Sequence, residues 1–259
     1  MRPPDALDGA RVLALGLGAL AVSGLFSGHA SAEVIRGGLQ ILFLALPLVY
    51  ARAAGLRPLA ASGFTRIKLS SLACVVLASV ASIWLLRELV EVNQWLGREL
   101  GLGERFVSQE RQIRDVLVSA REKGVAVAAV VFVVLSPVCE EVLFRGVAFR
   151  GFAAEFGPVR AIAYTGVLFA VFHQKELQLL LLTVLGLYFG LVVWLTGSLW
   201  AGIAAHALNN LAVLAASGLW GEDVKSVRAP GWLLALSGVL FATALAALYV
   251  QRPRSAPRA

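Results

Sequence analysis

Long apolar runs, separated by short joints that carry charge, glycine or proline, repeat along this chain from one end to the other. A helix needs about 20 residues to cross a hydrocarbon layer of roughly 30 Å. On that measure the runs predict helices at about 11–29, 37–54, 69–89, 124–149, 158–173, 177–196, 199–219 and 231–250. Helix is expected throughout because lipid offers no partner to an open strand edge. The predicted fold is all-α, a polytopic integral membrane bundle of about eight transmembrane helices. The fifth run is marginal in length, and only TGS separates the sixth from the seventh.

Composition agrees with that picture. Of 259 residues, 59% are hydrophobic and 15% charged, well above the apolar share of a soluble domain. The formal charge of +7 does not point to nucleic acid, because the basic residues sit in short loops without a continuous basic face. With the N-terminus inside, twelve Lys and Arg fall on the cytoplasmic side against eleven opposite, and it is the short loops, with Arg52, Arg57, Arg66 and Lys68 among them, that place both termini in the cytoplasm. High use of Ala, Arg and Leu with a single Met suits a high-GC bacterium, and the expected location is its inner membrane. The N-terminal run ends in HASAE, which mimics a signal-peptidase site, but its length favours a retained span. Cys74 and Cys139 lie inside predicted spans and read as packing residues, with no disulfide framework. The charged stretch before residue 124 spaces Phe106, Ile113, Val116 and Leu117 in a helical manner and is expected to lie along the interface.

One segment breaks the apolar pattern. SPVCEEVLFRG, residues 136–146, puts Glu140, Glu141 and Arg145 inside a predicted span. At about 2.5–3.5 kcal/mol per ionisable group, three unpaired charges would cost roughly 7–10 kcal/mol. Glu141 and Arg145 are four apart with the acid first, the favourable order for a helical ion pair. Glu140 points about 100° away, and an intramembrane acid with no partner is a functional-site candidate. Pro137 is expected to bend the helix just ahead of it.

His173 closes the fifth run, one turn after Phe169. His206 and Asn210 share a face of the seventh. A Glu, two His and an Asn on three apolar helices are hard to satisfy unless they meet. If they do, Glu140 and His173 can activate a water while His206 and Asn210 donate to an oxyanion. The same atoms can be read as a metal site, with Glu140, His173 and His206 as ligands for zinc or another divalent cation. Neither H-E-x-x-H nor a Cys-rich spacing occurs, so the residues alone leave both alternatives open. The depths conflict: if the fifth helix fully crosses the bilayer, His173 lies near its outer end and His206 nearer the cytoplasm. Gly186 and Gly190, with Gly197 and Gly202, are expected to bring the sixth and seventh helices close.

The ordered motifs E-E-x-x-x-R at Glu140, Glu141 and Arg145, F-x-x-x-H at Phe169 and His173, and H-x-x-x-N at His206 and Asn210 resemble the CPBP family of intramembrane proteases. That family includes the CAAX prenyl endopeptidases and the bacterial Abi-type proteins. The resemblance covers residues 124–219. It implies a catalytic core there, preceded by N-terminal helices and interfacial linkers (1–123) and followed by a final helix and basic tail (220–259). It further implies peptide hydrolysis, with Glu140 and His173 activating water, His206 and Asn210 stabilising the oxyanion, and Glu141, Arg145 and Phe169 in support. In the preferred reading no cofactor is required. The implied partners are the lipid bilayer and a membrane-associated protein or peptide substrate, and some members of the family, the myxosortases, trim C-terminal anchors. Two rivals use the same residues: a proton-coupled transporter, which calls for inverted repeats with matching helix breaks, and a scaffold that binds a partner helix without cutting it.

Overall fold

The computed structural model describes residues 2–26, 32–105, 124–219 and 229–253, with isolated positions between 107 and 122. The interfacial stretch with Phe106, Ile113, Val116 and Leu117 lies outside the described residues, as do His29 and the tail from 254. All regular structure among the described residues is helical.

The helices are α1 Ala6–Leu25, α2 Ala32–Ala53, the one-turn α3 Pro58–Ala61, α4 Leu69–Glu99, α5 Val125–Phe156, α6 Pro158–Phe172, α7 Leu179–Thr196, α8 Leu199–Leu219 and α9 Gly231–Gln251. Each predicted run has its helix, but the boundaries move for local reasons. The start of α1 comes earlier than expected, because Asp5 caps it reciprocally with Asp8 (2.9 and 3.0 Å). α4 runs ten residues beyond the expected 89 to Glu99. Nothing in RELVEVNQWLGRE breaks it, the Arg87–Glu91 pair supports it at i, i+4, and the chain turns only at Gly101, φ 72°. Among the described residues six helices are long and apolar enough to cross a membrane; α2 and α6 hold shorter apolar stretches, Gly37–Ala53 and Pro158–Phe172.

α5 is the axis of the bundle. α1 and α2 pack along it on one side and α8 on another, α6 pairs with α7, and α9 lies chiefly along α4. Its backbone is not uniform: the turns widen to a π pattern over Ala129–Leu135 and again over Val142–Ala148. The bend expected at Pro137 is displaced, because the only non-helical backbone within the second wide stretch is at Gly146 (ψ −118°). Pro137 is accommodated by the preceding wide turn, where Ser136 N–H reaches back to the Val131 carbonyl. The next bond of that ladder would join residue 137 to Phe132, and proline has no N–H to make it. Asn210 of α8 supplies the missing donor, Nδ2 to the Phe132 carbonyl at 2.9 Å.

The close glycine contacts also differ from expectation. A Cβ on Gly186 would stand 2.6 Å from the Gly166 carbonyl oxygen, so Gly186 of α7 meets α6 backbone to backbone. Gly190 faces Ile162 of α6 as well, whereas Gly202 serves the α7–α8 contact, 2.7 Å from Val193 by the same measure. The pair on α7 therefore fixes the helix that carries His173.

Candidate active site

α5 presents Glu140 and Glu141 on neighbouring faces, and both are buried (6% and 0% exposed). Glu141 Oε1 accepts from Arg145 Nη1 at 2.9 Å, with both side chains fully enclosed. Arg145 also donates from Nη2 to the Gly186 carbonyl (2.7 Å), and its guanidinium lies 4.7 Å from the Phe169 ring centre. The two charges expected to pair do pair, so their desolvation is offset as a unit.

Glu141 does a second thing that the spacing did not show. Its Oε1 lies 3.1 Å from His206 Nδ1, which leaves Nε2 as the ring nitrogen that faces Glu140. The His206 ring is stacked on Phe189 (centroids 4.7 Å, 16°) and meets Phe169 edge-on at 5.6 Å. His173, at the end of α6, is fixed in the same way through Nδ1, 2.7 Å from the Phe169 carbonyl oxygen. Gln174 takes φ 51° just after it, and Asn93 of α4 donates to the Leu177 carbonyl at 2.6 Å, which braces the turn.

Both imidazoles consequently turn Nε2 toward one atom. His173 Nε2 is 3.6 Å and His206 Nε2 4.0 Å from Glu140 Oε2. The conflict of depths disappears, because α6 has only 15 residues and ends level with the glutamate. Oε2 is buried and has no hydrogen-bond partner among the described residues. Oε1 is held by two donors, Ser136 Oγ at 2.6 Å and Gln40 Nε2 at 2.9 Å. Neither Ser136 nor Gln40 was singled out from the sequence, though both left a signal: Ser136 stands four before Glu140, and Gln40 is a lone amide within the apolar LQILFLALPLV run.

Asn210 is one turn beyond His206 on α8, but its amide is engaged with the Phe132 carbonyl. The structure thus gathers Glu140, His173 and His206 around one atom, with Glu141, Arg145 and Phe169 behind the rings, and sets Asn210 against the wall formed by α5.

A tetrahedral zinc held at about 2.0–2.1 Å puts its donor atoms about 3.4 Å apart. The separations of 3.6 and 4.0 Å are wider, and among the described residues no group of three or more His, Cys, Asp or Glu is arranged to hold a metal ion. A water can bridge either gap. Placed about 2.8 Å from each end of either gap, it would sit at the apex of an angle of roughly 80–90°.

Residues 122–212 match the family described as Rce1-like type II CAAX prenyl endopeptidase. That match supports a core of the CPBP type of membrane protease. Comparison with curated proteins and with solved structures gives no match. The CPBP segment contains the acid pair, both histidines and Asn210, and it leaves out α1 and α2, so the Gln40 contact comes from beyond the matched region.

Proposed function

We propose that the chain is a glutamate-type intramembrane endopeptidase that cuts a membrane-associated protein or peptide, with Glu140 as general base. The observation that carries this is the buried, unpartnered Oε2 of Glu140 facing two imidazole Nε2 atoms at 3.6 and 4.0 Å. A water held between Oε2 and His173 gives its proton to Glu140, and its oxygen bonds to the peptide carbonyl carbon. The carbonyl oxygen becomes an oxyanion that accepts from His206 Nε2–H and from the second N–H of the Asn210 amide. The C–N bond then breaks, and the proton on Glu140 passes to the leaving amine.

For His206 to donate from Nε2 while Nδ1–H serves Glu141, the ring must carry both protons. The geometry supplies an acceptor to each ring nitrogen, Glu141 Oε1 at 3.1 Å from Nδ1 and Glu140 Oε2 at 4.0 Å from Nε2. The apolar walls of Phe169 and Phe189 keep the pair dry and so strengthen the field on the oxyanion.

The substrate class proposed is the C-terminal anchor segment of a bacterial surface protein, processed in an inner membrane with both termini of the enzyme in the cytoplasm. The test compares protein termini in membranes carrying the wild type, Glu140→Ala or His173→Ala. A new terminus that needs both residues is expected. Cleavage retained by Glu140→Ala removes the glutamate from the chemistry, and transport without any cleavage would point to a proton-coupled carrier instead.

A further inference from the structure

Glu140 can act as drawn only if the carboxylate presents one oxygen and keeps the other out of the way. The terminal torsion of a glutamate is broad and nearly two-fold, so the side chain does not set this by itself. Here the setting comes from a three-way contact: Ser136 Oγ and Gln40 Nε2 both donate to Oε1, and Gln40 Nε2 also reaches Ser136 Oγ at 3.2 Å. Ser136 belongs to the same helix as Glu140 and moves with it. Gln40 does not, because it stands on α2, a hundred residues earlier and outside the matched segment 122–212.

An amide on an apolar helix is costly unless both of its ends are satisfied. The Gln40 carbonyl oxygen is buried and has no partner among the described residues. Packing on an apolar helix therefore does not by itself call for an amide at this position. What it does achieve is to give Oε1 a second donor from a separate helix, which fixes the carboxylate plane relative to His173 and His206.

We infer that Gln40 is a positioning residue of the protease site: α2 completes a catalytic core that the matched segment alone leaves unfinished. This rests on Glu140 being the general base. Because Gln40 acts through Glu140 and not on substrate, its loss should lower kcat and leave KM nearly unchanged. A hydrogen bond to a charged group is worth enough for a fall in kcat of roughly ten-fold or more.

The test uses the full chain in lipid nanodiscs, in the wild type and in the variants Gln40→Met, Gln40→Asn and Gln40→His. Met keeps the shape without the donor, Asn keeps the amide one methylene short, and His restores an N–H at nearly the same reach. Turnover is measured on the peptide whose cleavage depends on Glu140. The carboxyl stretching band of Glu140, assigned as the one lost in Glu140→Gln, is followed by infrared difference spectroscopy. The expected result is a shifted band and reduced kcat in Gln40→Met and Gln40→Asn, with both returning toward wild type in Gln40→His. An unmoved band, a kcat within two-fold of wild type, or a change confined to KM would overturn the assignment. The band needs no turnover, so a shifted band in a protein that cleaves nothing would retain Gln40 as the residue that orients Glu140 and remove the protease reading alone.

Discussion

Removing one member of the Glu141–Arg145 pair should cost far more stability than removing both. The two side chains are fully enclosed and 2.9 Å apart. At an effective dielectric near 20 their attraction is about 6 kcal/mol before the cost of desolvating both ions is subtracted. Glu141→Leu strands Arg145 with the Gly186 carbonyl and the rings of Phe144, Phe169 and Phe189, and a buried charge left alone costs about 3–5 kcal/mol. In a chain of this size that is a fall in melting temperature of about 6–20 °C. Arg145→Met should cost less, because Glu141 keeps His206 at 3.1 Å. The double variant Glu141→Leu/Arg145→Met should recover most of the loss, since an apolar pair of similar volume is close to neutral in place of a buried ion pair. It should not recover cleavage, because His206 has lost the acceptor for Nδ1. Thermal unfolding in detergent and turnover in vesicles, run as a double-mutant cycle, separate the two effects. Additive melting shifts would refute the pair as a coupled unit, and wild-type turnover in the double variant would refute Glu141 as the residue that orients His206.

Three further outcomes are expected. Gly186→Ala sets a methyl 2.6 Å from the Gly166 carbonyl oxygen; the backbone must give way, at about 1–3 kcal/mol, and turnover should fall because α6 carries His173, as parallel melting and cleavage assays would show. Asn210→Ala leaves the Phe132 carbonyl without the side-chain donor it now has, about 1–3 kcal/mol by thermal unfolding; Pro137→Ala, which restores a backbone N–H, should reduce that loss when the two are combined. Cleavage should survive chelation, checked by a terminus assay before and after treatment with a strong chelator in a sample shown to remain folded.

Much of the fold was legible in one dimension, because lipid imposes a simple demand. Any segment that crosses it must satisfy its own backbone, so apolar length alone marks α1, α4, α5, α7, α8 and α9. The acids of residues 140 and 141, the two histidines and Asn210 stood out for the same reason: polar groups are expensive there and need a purpose. The spacing of four between Glu141 and Arg145 also fixed their pairing, since helical geometry relates those positions without reference to any other helix.

What needed three dimensions was every contact between helices. No spacing relates Gln40 to Glu140, or Glu141 to His206, since each depends on how α2 and α8 are rotated against α5. The level at which His173 meets Glu140 came from the length of α6 and the turn at Gln174, where a boundary error of a few residues would have moved the ring by a full turn. The glycines on α7 turned out to face α6 because a small residue permits close approach without saying to which neighbour. Periodicity along the chain fixes what each helix must hide, while the partner it hides against is settled only when all the helices compete for the same space.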